Sequence, residues 1–570
     1  MVRVSTGTQE SSPPSRRRAR WGVFAAALAL GALATFCARE PERAAPEASA
    51  GGERDARGRP PLRPASLGTN LNGVADWTTQ DPFLDLYKQA RVLVSGTGDE
   101  WADGRELPFD ERGELLRLEP GQIARTVLLT DHGQYPGGRY VLTYEGEAEF
   151  WFHRDVVSQE PGRIVLDVPP GTAPGDKSAV AMDVTSTNAD DPLRNVHVYG
   201  PGGVCAEDRA RECTTDEDCP GGPCQSAEDA VRAGELFRPS FLASLRPYRM
   251  LRFMDWGLTN GSEVVRWDDR AQLTDATYTA RGVPLERMIE LANRTGAQPW
   301  FCIPHQADDD YVRQFAALLA AELDPALPVW IEYSNEIWNG IFQQGGYAEA
   351  QGEARGYGEE LEARNRFQGV RSTEIFDLVD AALGPERVVR VLSVQANWSW
   401  VAEQVIAGAE GRADALAVAP YVGLLPGPDD APAIARAGLD ALLERSRDEV
   451  LPEALGWVRE HAEIARRHGL ELVAYEAGQH YVGVDGAQDD ESLNALFDRF
   501  NRSPAIGEVY TAMLEGWVAA GGGWLNHFVD VSGYSKWGRW GALEYASQPR
   551  AEAPKYDALL RFVESHPEGW

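Results

Sequence analysis

Two short stretches place a carboxylate directly behind an apolar run: Glu336 in IEYSNEIWN (331–339) and Glu476 in VAYEAGQH (473–480). Two carboxyl groups facing one sugar can divide the work of breaking a glycosidic bond. One protonates the leaving oxygen while the other attacks, or activates water, on the opposite face of the ring. Either glutamate alone would more often be a solvated charge at a strand end. Asn335 beside Glu336, and Trp338 two residues further on, set this pair apart. Trp256, Trp338, Trp524, Trp537 and Trp540 fall at or just after candidate strand ends, where indole faces either stack on sugar rings or pack in the core. His305, His480 and His527 suit orienting hydrogen bonds better than metal ligation. The chain has no G-x-S-x-G elbow, P-loop, H-E-x-x-H or Rossmann glycine set. No cofactor or metal is expected.

Paired acids need a rigid frame. Apolar runs at 250–256, 298–305, 327–336, 387–397, 415–423, 470–480 and 522–530 alternate with helical patterns at 284–295, 309–323, 371–383, 452–468 and 491–502. With an eighth strand at 66–73, the pattern predicts an α/β fold, a (β/α)8 TIM barrel, whose catalytic groups stand at the C-terminal ends of strands. Glu336 and Glu476 then end the fourth and seventh strands.

SNEIWN and YEAGQH in that strand order resemble the retaining (β/α)8-barrel glycoside hydrolases often called clan A. The resemblance covers roughly 66–90 and 235–565. It implies a glycosidase acting on a polysaccharide or oligosaccharide, with Glu336 as acid/base and Glu476 as nucleophile. It further implies Asn335 on the sugar 2-hydroxyl, Arg252 of LRFMDW near the nucleophile, and the Tyr421 hydroxyl of APYVG touching it. Trp338, His305, His480 and Trp524 complete the expected substrate-binding set. Arg252 could instead form a structural ion pair with Asp255 or Asp269, and Asn70, Asn72 and Asp76 near the first strand are weaker site candidates, since Asn and Asp are common turn formers. A noncatalytic carbohydrate-binding or adhesion protein on the same scaffold is the other function class the sequence leaves open.

The domain organisation expected is a signal at 1–37, a solvated tether at 38–65, the start of the barrel at 66–96, an inserted β-rich module at 97–200, a Cys-rich loop at 201–234, and the rest of the barrel at 235–570. Within the module ELLRLE, QIARTVLLT, GRYVLTYEGE, AEFWFHR, GRIVLDV, SAVAMDVT and NVHVYG read as strands of a sandwich. A loop leaving a barrel strand would set that module beside the mouth. Cys205, Cys213, Cys219 and Cys224 lie within 20 residues. In an exported chain they point to two disulfides with three possible connectivities, and their spacing lacks the paired elements of a zinc site.

Four arginines at 16–20 precede an apolar run, Trp21 to Phe36, which reads as an export signal and is short for a membrane span. LATFC, ending at Cys37, is similar to a lipobox, so a lipid tether through Cys37 stands beside simple cleavage and an uncleaved anchor, with an extracellular, cell-surface or periplasmic location. The net charge is −32, and removing residues 1–37 takes away five arginines and one glutamate to leave −36. A polyanion of that size repels nucleic acid and anionic lipid but admits neutral substrates.

Overall fold

The computed structural model describes residues 66–130, 135–171 and 179–566. The expected export signal, Cys37 and the tether to 65 lie outside the described residues. Among the described residues no helix is long and apolar enough to cross a membrane.

Eight parallel strands close into a barrel: Leu67–Asn70, Met250–Arg252, Gln298–Ile303, Val329–Tyr333, Val388–Ser393, Ala415–Val418, Glu471–Ala474 and Leu525–His527. Closure rests on the first strand, where Gly68 pairs with Met250 on one side and with Asn526 on the other. Runs such as VWIEY are buried on both faces, as a parallel sheet between a core and a ring of helices requires. Alternate residues fill the interior. Met250, Trp300, Trp330, Val389, Ala415, Val473 and Trp524 form its lower layers, with the Trp300 and Trp330 rings stacked 5.3 Å apart.

Predicted helices appear at Leu285–Thr295, Asp309–Glu322, Leu451–His468 and Glu491–Asn501. Asp308 caps the second by accepting from the Tyr311 N–H at 2.8 Å, and Gly296 stops the first in the left-handed conformation. The helix expected at 371–383 begins eleven residues earlier and spans Glu360–Leu383. Two expected strands are each split. Barrel strands six and seven stop at Val418 and Ala474, and the chain resumes at Val422–Leu424 and Gln479–Tyr481 as a separate parallel pair. Tyr421 and Glu476 lie in the two gaps.

The insertion is a sandwich of two four-stranded antiparallel sheets. One carries, in spatial order, Val94–Gly96, Ile123–Leu129, Val180–Thr187 and Ala148–Phe152. The other carries Asp155–Glu160, Arg163–Val168, Gly138–Glu145 and Arg194–Tyr199. Leu128, Met182, Val184 and Phe152 face Tyr140, Leu142, Ile164 and Val198 across its core. ELLRLE is not a strand: Leu115 makes only an isolated bridge to Phe109, because that segment caps the sandwich instead of joining a ladder. The fully exposed strand Asp155–Glu160, with no apolar alternation, escaped the sequence pattern.

The sandwich docks on the loop that follows the second barrel strand. Lys88 Nζ donates to the Asp275 carbonyl at 2.7 Å, the Tyr278 N–H to the Lys88 carbonyl at 2.7 Å, and the Ala276 N–H to the Arg112 carbonyl at 2.8 Å. That loop belongs to the face where barrel strands end. Beyond the sandwich, three short strands hold Cys205, Cys213 and Cys224, and the disulfides are Cys205–Cys219 and Cys213–Cys224, one of the three pairings the spacing allowed.

Candidate active site

Glu336 and Glu476 both lie at the C-terminal end of the barrel, nearly fully buried. Val329–Tyr333 ends in a tight turn in which Ser334 (φ +58°) and Glu336 (φ +44°) adopt left-handed backbone. For residues with a Cβ this conformation costs on the order of 1 kcal/mol each, and its usual place is a functional turn. The turn brings Glu336 under two neutral donors. Its Oε1 accepts from the Tyr475 hydroxyl at 2.9 Å and its Oε2 from Asn339 Nδ2 at 3.0 Å.

Glu476 is held differently. Its Oε1 accepts from Arg252 Nη1 at 2.8 Å and its Oε2 from the Tyr421 hydroxyl at 2.9 Å. Arg252 is fully buried and ties the site together. It donates to Glu332 Oε2 from Nε at 3.1 Å and Nη2 at 2.8 Å, to Asn335 Oδ1 at 2.8 Å and to Asn70 Oδ1 at 3.0 Å. Its guanidinium also lies over the Tyr475 and Trp300 rings, 5.1 and 5.7 Å from their centroids. Asn335 is locked from its other end, since Nδ2 donates to Asn260 Oδ1 at 3.0 Å.

These surroundings separate the two acids electrically. Burial, and then the charge on Glu476, pushes the Glu336 carboxyl up to about 8. Burial also raises Glu476, but Arg252 and the Tyr421 hydroxyl act against it. A single negative charge shared by the pair therefore belongs on Glu476 and the proton on Glu336. Asp255, just beyond the second strand, is pushed up to about 7 by burial and by the charge on Glu476.

Of the expected site residues, Asn335, Arg252 and Tyr421 join the two glutamates. His480 lies with its ring 5.9 Å from Tyr421, and His305 stands edge-on to Tyr347 at 5.2 Å. Burial pushes these imidazoles down to about 3 and about 4, so both are neutral. His305 Nδ1, His480 Nε2 and the indole N–H of half-buried Trp338 have no protein partner.

Trp524 does not belong with them. It precedes the eighth strand, at the opposite end of the barrel, and packs against Trp330 at 5.8 Å in the interior. Trp256 is likewise core, in a cluster with Phe83, Phe237 and Phe241. Arg252 pairs with Glu332 and Glu476, not with Asp255 or Asp269.

Tyr475, Glu332 and Asn339 escaped the sequence reading. Glu332 carried a signal, being a charged residue at an inward position of an otherwise apolar strand. Cys302 is the donor of a 3.3 Å contact to Glu332 Oε2, and burial keeps it protonated.

No family model matches this chain, and no curated protein matches it in sequence. Solved structures with a similar course of chain include a Bacteroides ovatus GH5 xyloglucanase in complex with a XXXG heptasaccharide, at 8% identity, TM-score 0.33, and coverage of 78% of this chain and 96% of that one. A modular endo-β-1,4-mannanase from Cellulomonas fimi shows 13% identity, TM-score 0.31, and coverage of 54% and 66%. A GH5 xyloglucan-specific endo-β-1,4-glucanase from a metagenomic library shows 11% identity, TM-score 0.30, and coverage of 56% and 86%. At these scores the likeness adds nothing to what the barrel's own strand ladder establishes.

Proposed function

We propose that this protein is a retaining glycoside hydrolase that cleaves a β-linked, neutral glycan. The carrying observation is the unequal environment of the two acids: a guanidinium and a phenol on Glu476, and only neutral donors on Glu336. In the first step the Glu476 carboxylate bonds to the anomeric carbon while Glu336 gives its proton to the departing glycosidic oxygen. Esterification removes the charge that held the Glu336 proton, so Glu336 becomes the base that deprotonates water. The water oxygen then displaces Glu476 and the cycle closes with the configuration at the anomeric carbon retained. Asn335, fixed by Arg252 and Asn260, has one N–H left for the sugar 2-hydroxyl, and the unpartnered ring nitrogens of His305 and His480 suit other hydroxyls.

The chain's strong negative charge fits a neutral substrate. The test is a panel of neutral polysaccharides with wild type, Glu336→Gln and Glu476→Gln, the anomers of the released sugars being followed by NMR. Glu336→Gln should lose roughly 10²- to 10⁴-fold in rate, the share a positioned acid or base supplies, and Glu476→Gln, which removes the nucleophilic carboxylate, should lose at least as much. Equal turnover by all three proteins, or product of inverted configuration, would sink the reading. The same panel, with wild-type turnover and both variants slow, also separates it from a binding protein without chemistry.

A further inference from the structure

One face of the sandwich module carries a second constellation, built from residues other than those around Glu336 and Glu476. Along the sheet, Val94 pairs with Arg125, Arg125 with Asp183, and Asp183 with Trp151, so these residues form one cross-strand row. The rows on either side, Ala124 with Val184 and Phe150, and Thr126 with Met182 and Phe152, turn into the sandwich core. Strand alternation therefore puts the Arg125 row on the outer face. Trp151 is 51% exposed there, with His153 edge-on to it at 4.2 Å. At the other side of the row the turn after Val94–Gly96 lays Trp101, 40% exposed, over the Arg125 guanidinium at 5.6 Å. A hydrogen bond of 2.9 Å from Arg125 Nη1 to the Glu100 carbonyl fixes that turn.

Between the two tryptophans, Arg125 Nε donates to Asp183 Oδ2 at 3.0 Å. Asp183 is only 2% exposed, yet its second oxygen, Oδ1, has no partner. Leaving a buried carboxylate oxygen unbonded is unfavourable, and a ligand hydroxyl would relieve it.

We infer that this face is a glycan-binding platform separate from the barrel cleft, with Trp101 and Trp151 as stacking surfaces and Asp183 Oδ1 as a hydroxyl acceptor. The Arg125–Asp183 pair leaves the centre of the row without net charge, which favours a neutral ligand over an anionic one. Two strand spacings, roughly 10 Å, separate the Arg125 and Trp151 backbones. That span fits consecutive rings of an oligosaccharide chain better than one small molecule. A glycan also accounts for both parts of the site, since aromatic faces take its C–H surfaces while the pair takes its hydroxyls.

The test uses the full chain carrying Glu476→Gln, so that binding is read without turnover. Its migration is measured in native gels containing β-glucan, mannan, xylan or galactan. Adding Trp151→Ala or Trp101→Ala should weaken retardation by the retaining polysaccharide by roughly 2- to 12-fold, the range an aromatic contact carries. Trp151→Phe should recover most of it, which a folding defect would not allow. Unchanged retardation in both alanine variants, or no retardation by any of the four polysaccharides, overturns the platform. Hydrolysis of a short soluble oligosaccharide by Trp151→Ala in the Glu336/Glu476 wild-type background should stay at the wild-type rate. Loss of binding here with no turnover by the wild type would leave the platform standing and remove the barrel reading.

Discussion

Tyr475 and Glu476 are neighbours in sequence and serve opposite carboxylates. The Tyr475 hydroxyl reaches Glu336, while Glu476 turns to Arg252 and Tyr421. Each phenol stabilises the ionised form of its own acid, so removing either raises the pKa of that acid. The pH–rate profile should be a bell whose alkaline limb lies near pH 8. Tyr475→Phe should move the alkaline limb up, and Tyr421→Phe the acid limb, each read from kcat/KM across pH. The same raised acid affects stability. Glu336 holds its proton in the folded state up to about pH 8 and releases it near 4.5 when unfolded. The Glu336 contribution to stability is therefore full below pH 4.5 and is lost as pH climbs to about 8. Denaturant unfolding at pH 5 and pH 8 should show Glu336→Gln gaining on wild type over that interval, by on the order of a few kcal/mol. At this scale the sequence was informative where chemistry sits in one short segment, as in SNEIWN and YEAGQH. It was silent on Tyr475, Glu332 and Asn339, whose roles come from register across a closed barrel that one strand cannot display.

Helix Glu360–Leu383 explains a second gap between pattern and structure. Its buried side includes Arg364, Asn365, Gln368 and Arg371, which break the apolar repeat on which helix recognition depends. Arg364, Gln368 and Arg371 secure strand ends and the loops after them. Arg364 donates to the Trp338 carbonyl at 3.1 Å, Gln368 to the Ser393 carbonyl at 2.6 Å and Arg371 to the Ala307 carbonyl at 3.0 Å. The next helix, Ser399–Ala409, approaches it at backbone distance: a Cβ on Gly408 would stand 2.2 Å from the Arg366 carbonyl oxygen, and one on Gly369 2.1 Å from that of Val405. Gly408→Ala should therefore cost about 1–3 kcal/mol as overpacking, despite the higher intrinsic helix propensity of alanine. A melting curve checks this, and activity measured well below the melting range reports whether Trp338 has shifted with the helix. The helices with clean apolar periodicity, such as Leu451–His468, were legible to within a residue or two.

At the scale of the molecule, the barrel was readable because its strands are apolar runs of the right length and spacing, and the sandwich because its strands alternate. The contact between them was not, since its acceptors are the backbone carbonyls of Lys88, Arg112 and Asp275, and two of its donors are the N–H groups of Ala276 and Tyr278, none of which a side-chain pattern displays. The first barrel strand adds an order of events. Leu67–Asn70 is bonded on one side to Met250–Arg252 and on the other to Leu525–His527, and the Thr69 hydroxyl reaches the His527 carbonyl 458 residues away. During synthesis this segment leaves the ribosome some 458 residues before its second neighbour does. The sandwich, whose partners are all close along the chain, can mature in the meantime. A chain stopped at residue 520 should accordingly show slow hydrogen exchange at 123–129 and 180–187 and fast exchange at 67–70. The ring would stay an unsealed sheet until its last strand is made.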